Sequence, residues 1–137
     1  MKGAKAFLDT NVLLYALAQD DPRCAIAERL LAQGGVIGVQ TLNEFVSVAM
    51  RKLSMPWADF LDAVGVFRAL CPSPRPLTVE IHDRDLHIAG RYGYHMNDSL
   101  IVATALQARC GILYSEDLQD GQVIERLTIR NPLAARR

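Results

Sequence analysis

The 137-residue sequence predicts an α/β domain, a three-layer α/β/α sandwich with a mainly parallel central sheet. Three observations predict it. Short apolar runs alternate with longer segments of helical periodicity. Residues that cap helices or break them punctuate the chain between those segments, among them Asp9-Thr10-Asn11, Gly34-Gly35 and Pro56. The chain is also long enough for one domain, spanning 1–137, to bury a core of its own.

The elements follow in order. Residues 4–8 read as a short buried strand stopped by Asp9-Thr10-Asn11, side chains that favour turns and caps. Val12 to Ala18 is helical and is broken by Asp20-Asp21-Pro22. Arg23 to Gln33 places Ala27, Leu30 and Leu31 on one face and ends at Gly34-Gly35, a helix stop. Val36 to Val39 reads as a brief strand. From Thr41 to Leu53, the apolar positions Leu42, Phe45, Val46, Ala49 and Leu53 keep helical spacing. Pro56 opens a helix running to Leu70. Pro72, Pro74 and Pro76 leave only Leu77-Thr78-Val79 as a strand before a helix over Glu80–Tyr92. Asn97 to Arg109 is apolar almost all round, the mark of a buried helix. Ile112-Leu113-Tyr114 and Leu127-Thr128-Ile129 complete the strands.

Composition narrows the function classes. Half the residues are hydrophobic and 22% are charged, an ordinary globular balance that argues against disorder. Fifteen basic residues match fifteen acidic ones, which gives no support to a strong, non-specific nucleic-acid binder. No apolar run approaches the roughly 18–20 residues of a membrane span, and Asp9 interrupts the first run too early for a signal-peptide core. Cys24, Cys71 and Cys110 are isolated and odd in number, which favours reduced thiols in a cytoplasm over disulfides or a zinc site.

The chemistry lies in four carboxylates. Asp9 and Asp117 each follow a predicted strand, whereas Glu44 and Asp98 each lie in the first turn of a predicted helix, Asp98 beside a capping Asn97. In a parallel α/β sheet, ligand sites lie outside the carboxyl ends of the strands, and helix N-termini point to that same edge. Four segments thus deliver acids to one rim. Each acid alone has a structural explanation: an Asx-turn for Asp9, a favourable helix dipole for Glu44 and Asp98, a polar loop for Asp117. Gathered together they repel one another unless protons or a cation neutralise them. An all-oxygen set suits Mg2+ or Mn2+, and the matching reaction is metal-assisted phosphodiester hydrolysis.

Other polar and aromatic residues carry weaker signals. His82, His87 and His95 read as surface or packing residues. Arg51, Lys52, Arg84 and Arg91 either flank an RNA path or form an ordinary solvated surface. Tyr92 and Tyr94 either stack on a base or pack against the protein. The Trp57–Leu70 helix is apolar over more than one stripe, so Trp57 or Phe60 is expected to touch a partner.

At the four acids the chain resembles a PIN domain. The matching residues, in order, are Asp9-Thr10-Asn11 after a strand, Glu44 early in a helix, Asp98-Ser99-Leu100-Ile101-Val102-Ala103, and Ser115-Glu116-Asp117 after a late strand. The likeness spans nearly the whole chain and is similar in length to VapC-type toxins. It implies a Mg2+- or Mn2+-dependent endoribonuclease with a cognate antitoxin and a tendency to dimerise. It also implies that Asp9, Glu44, Asp98 and Asp117 form the catalytic, metal-binding set, supported by Thr10, Asn11 and Ser115. Glu116 and Asp120 compete with Asp117 for the fourth place. An RNA-maturation PIN nuclease without an antitoxin, or a PIN scaffold that binds RNA or protein without cutting, are the alternative readings. A phosphatase built on Asp9 is poorly supported, because Asp9-Thr10-Asn11 is not an Asp-x-Asp-x-Thr run.

Overall fold

A computed structural model describes residues 5–133. Strand β1 (Ala6–Leu8) leads into α1 (Thr10–Ala16), and α2 (Arg23–Ala32), α3 (Val39–Lys52) and α4 (Trp57–Leu70) follow. Helices α5 (Val79–Tyr92) and α6 (Met96–Gln107) precede β2 (Ile112–Tyr114), β3 (Val123–Ile124) and β4 (Leu127–Arg130). The sheet order is β1-β2-β4-β3. β2 runs parallel to both β1 and β4, and β3 is antiparallel to β4.

The strand alternation makes three layers. Phe7 and Leu113 point to a core closed by Ile81 and Ile88 of α5 and by Leu100 to Leu106 of α6. Leu8 points the other way, into a second core with Val12, Leu13, Leu31, Phe45, Phe60 and Phe67 from α1–α4. Successive residues of a strand face opposite sides of the sheet, so β1 and β2 serve both cores, whereas Ile124 of β3 and Leu127 and Ile129 of β4 enter the first alone. The rings of Phe45 and Phe67 meet edge to face at 5.0 Å in the second core.

Local chemistry sets the helix ends. Asp9 caps α1 by accepting from the Thr10 N–H at 2.6 Å. Thr78 caps α5 through the Ile81 N–H, and Gly93 ends that helix in the left-handed region at φ 72°. Gly38 begins α3, with the Thr41 hydroxyl accepting from its N–H at 3.1 Å.

Several expected boundaries shift. Ala4, assigned to the first strand, lies outside the described residues. Val36 makes only a single parallel bridge to Phe7, and the chain turns into α3 at Val39, so 36–39 is not a full strand. Leu77-Thr78-Val79 is not a strand either: Thr78 caps α5 and Val79 opens it. The pairing expected there falls instead on Arg75, between two prolines, which bridges Gly38. Because α3 starts at Val39, Glu44 lies in its second turn rather than its first. Helix α6 starts at Met96 with His95 as its cap, so Asn97 is not the capping residue, and Asp98 remains in the first turn. β3, two residues long, carries no readable strand signal. All three cysteines are free and buried.

Helix α4 explains its broad apolar surface by dividing it. Phe60 is 4% exposed and packs inside the chain, so it is not a surface residue. Trp57, 56% exposed, rests edge-on against the Phe60 ring at 6.2 Å, and Leu61 and Val66 of the same helix are also exposed. This division makes a stability prediction. Phe60→Ala lowers the unfolding free energy by about 3–5 kcal/mol, whereas Trp57→Ala costs less than about 1 kcal/mol. Urea titration followed by circular dichroism measures both, and equal costs contradict the placement.

Candidate active site

The register of two parallel neighbours builds the centre of the site. Leu8 pairs with Tyr114, so the residues that leave β1 and β2 emerge side by side. The Asp9 N–H donates to the Tyr114 carbonyl at 3.1 Å, continuing the ladder by one step. Immediately above it, the Ser115 hydroxyl donates to Asp9 Oδ2 at 2.7 Å. With the Thr10 N–H on Oδ1, both oxygens of Asp9 are oriented by short hydrogen bonds. Ser115 Oγ also accepts from the Asp117 N–H at 3.2 Å, and Asn11 Nδ2 donates to Asp117 Oδ2 at 3.1 Å. The result is a continuous network of Thr10, Asp9, Ser115, Asp117 and Asn11 across two strand ends.

Helices α3 and α6 bring the other two acids. Glu44 lies within electrostatic reach of Asp9, Asp98 and Asp117, and Asp98 within reach of Asp117. The consequences appear in protonation. Burial pushes the Asp9 carboxyl up from its ordinary 3.8 to about 6, with further upward pressure from Asp117 and Glu44 and opposition from the Ser115 and Thr10 hydrogen bonds. Glu44 is raised by burial and then by Asp98 and Asp117. Asp98 is raised by burial and by Asp117, with His95 acting in the opposite direction.

Glu116 and Asp120 face elsewhere. Glu116 lies 4.0 Å from the Arg23 guanidinium and beside the Tyr15 hydroxyl. Arg23 is itself held by Asp21 at 2.8 Å and stacked over the Tyr15 ring at 4.1 Å. Asp120 accepts from the Asn131 N–H at 2.8 Å and ties down the loop beyond β4. Of the three late acids, Asp117 is the one turned toward Asp9, Glu44 and Asp98.

Two observations bear on a cation. The donors are hard carboxylate oxygens, and Glu44 Oε1 is buried without a hydrogen-bond partner, as is Thr10 Oγ1. An oxygen-liganded divalent ion fits that donor set. Among the described residues, no three His, Cys, Asp or Glu side chains already stand close enough to share one ion.

Arg84 pairs at 2.7 Å with Glu125 in the β3–β4 turn, at the edge of the sheet where β4 begins, and Arg51 and Lys52 lie in the last turn of α3. Arg91 lies over Tyr92 at 5.5 Å, and Tyr92 stacks on Tyr94. The three histidines are exposed, as expected. Sequence reading missed the Tyr15–Arg23–Glu116 cluster, which joins residues remote in the chain. It also missed Asp85, although a carboxyl on the Ile81–Ile88 stripe of α5 is a signal in itself.

Comparison with known proteins completes the assignment. The PIN domain family model matches residues 6–120. No curated protein sequence matches the chain. Among solved structures, the Mycobacterium tuberculosis sarcin–ricin-loop-cleaving toxin VapC20 is similar, with a TM-score of 0.63 and 18% identity over 81% of this chain and 88% of that one. A toxin–antitoxin complex from Klebsiella pneumoniae gives 0.69 and 19%, over 93% and 98%. VapBC2 from Rickettsia felis, solved with a promoter DNA fragment, gives 0.67 and 16%, over 92% and 97%. At these identities the structures speak for the fold, while the family-model match covers most of the chain: it belongs to the PIN domain family.

Proposed function

We propose that this chain is a metal-dependent endoribonuclease and the toxin of a toxin–antitoxin pair. The observation that supports the reading is that Asp9, Glu44, Asp98 and Asp117, each delivered by a different element, are linked by pairwise electrostatic interactions. PIN nucleases are in general divalent-metal dependent, and an oxygen-only donor set selects Mg2+ or Mn2+ over softer ions. Toxin function rests on the family together with the solved toxins that share the fold. The toxin–antitoxin complexes among the solved structures support a protein antitoxin as partner, and a homodimer and a cytoplasmic setting belong to the same proposal. No helix among the described residues is long and apolar enough to cross a membrane.

The residues divide the work. Asp9 is the anchor: Ser115 and the Thr10 N–H hold its carboxylate in one orientation before any ligand arrives. Asn11 holds Asp117 in the same way from α1. Glu44 contributes an oxygen that no protein group satisfies, and Asp98 stands at the start of α6, where the helix dipole favours negative charge. Asp9, Glu44, Asp98 and Asp117 would hold the divalent cation, which would supply Lewis-acid activation of water and neutralise charge developing on the RNA phosphate. A bound cation would compete with protons for these carboxylate oxygens.

Two predictions test this reading. Asp9→Asn and Asp98→Asn each lower RNA cleavage on the order of 100-fold, and inducible expression of wild type arrests growth while Asp9→Asn does not. Cleavage that survives both substitutions in a pure preparation contradicts the mechanism. A wild type that cleaves RNA and is tolerated when expressed alone contradicts the toxin assignment but not the nuclease.

The second prediction concerns pH. Folding raises the Asp9 pKa from 3.8 to about 6, so between these values the folded protein binds the extra proton. Stability from Asp9 is therefore full below 3.8 and is lost as pH rises through about 6. In chelator, wild type is more stable at pH 5 than at pH 7 by about 1 kcal/mol from this group, and Asp9→Asn loses that increment. Mn2+ affinity runs in the opposite sense and falls toward pH 5, because protons compete for the same oxygens. Thermal melts and titration calorimetry at the two pH values read both trends.

A further inference from the structure

The first turn of α6 is held from behind by a buried carboxyl that the proposed mechanism does not use. Asp85 lies in the middle of α5 and is 3% exposed, on the same face as Ile81 and Ile88. The Ser99 hydroxyl, fully buried on α6, donates to Asp85 Oδ1. Ser99 directly follows Asp98 in sequence.

The alternatives open to Ser99 are visible in the same geometry. Its oxygen lies 3.1 Å from the His95 carbonyl and 3.2 Å from the Met96 carbonyl. A serine inside a helix ordinarily back-bonds to such carbonyls, and it has only one hydrogen to give. Spending that hydrogen on Asp85 links two helices instead of satisfying one. Among the described residues Asp85 has no salt-bridge partner and accepts no other side-chain hydrogen bond. A buried carboxyl with one neutral donor is a poor source of stability, and an apolar side chain of similar size is the ordinary occupant of such a position.

We infer that Asp85 is a positioning residue for Asp98. Neighbouring residues on a helix point about 100° apart. Fixing Ser99 against α5 therefore fixes the rotation of the first turn of α6, and with it the direction in which Asp98 presents its carboxylate to the other three acids. The N-terminal end of α6 adds an attraction for the Asp85 carboxyl. This inference rests on the reading of Asp98 as a metal ligand.

The test is calorimetric titration of Mn2+ into wild type, Asp85→Ala, Asp85→Asn, Ser99→Ala and Asp98→Asn, with thermal melts in chelator and single-turnover RNA cleavage alongside. The expected result is an Mn2+ affinity about 10-fold weaker for Asp85→Ala and for Ser99→Ala. Asp85→Asn, which keeps an acceptor for the Ser99 hydroxyl, stays within about twofold of wild type. Asp85→Ala lowers kcat while leaving KM for RNA unchanged, and its melting temperature in chelator is no lower than that of wild type. Wild-type Mn2+ affinity in Asp85→Ala overturns the inference, and so does an Asp85→Asn variant as impaired as Asp85→Ala. A loss of affinity matched by a fall in chelator melting temperature also overturns it, by assigning Asp85 to the fold alone. If Asp98→Asn binds Mn2+ as wild type does, the metal-site reading itself fails and the positioning role fails with it.

Discussion

The burial of a carboxyl, Asp9, where two parallel strands end is the constraint on which the rest of this structure depends. Asp9 is almost completely buried, with Asp117 and Glu44 both pushing its pKa upward. What holds it is the backbone ladder beneath: β1 and β2 run parallel in fixed register, and Ser115 leaves β2 at the point where its hydroxyl reaches Asp9 at 2.7 Å. An antiparallel pairing, or a slip of one residue, would send one of the two side chains to the far edge or the far face. The Asp9–Ser115 centre of the site is thus a product of strand register.

The two cores protect that register from both sides. Phe7 and Leu8, adjacent in β1, commit the strand to α5–α6 on one face and α1–α4 on the other. Helix α6 is buried from Ser99 to Leu106, so the turn that carries Asp98 is backed by packed side chains, whereas Glu44 extends from an amphipathic α3 that also has an exposed face. The site therefore combines rigid members at the strand ends and at α6 with one acid on a less enclosed helix. The PIN domain family model spans residues 6–120, a stretch that includes all four of these acids.

Much of this was legible in the sequence, for identifiable reasons. The α6 helix announced itself by an unbroken apolar run, and Asp9 by its place at the end of a short apolar strand. The ambiguity among Asp117, Glu116 and Asp120 could not be resolved there, because all three occupy one polar loop and their directions depend on partners far along the chain: Asn11 for Asp117, Arg23 for Glu116, Asn131 for Asp120. The strand expected at Leu77–Val79 failed because Thr78 prefers to cap a helix and the flanking prolines confine pairing to Arg75. Phe60 and Trp57 looked alike in sequence, and only packing against Phe67 and its neighbours separates the core residue from the surface one. Asp85 was the opposite case, a polar residue on an apolar stripe whose meaning depended on finding Ser99 across from it.

The account turns on whether these four carboxylates share a cation. A crystal structure of the protein soaked in Mn2+, with data collected for the anomalous signal of manganese, tests this most directly. The account predicts an anomalous peak bounded by Asp9, Glu44, Asp98 and Asp117, with Glu116 still turned toward Arg23. A peak held by Glu116 or Asp120 in place of Asp117, or bound manganese only outside this cleft, would contradict it.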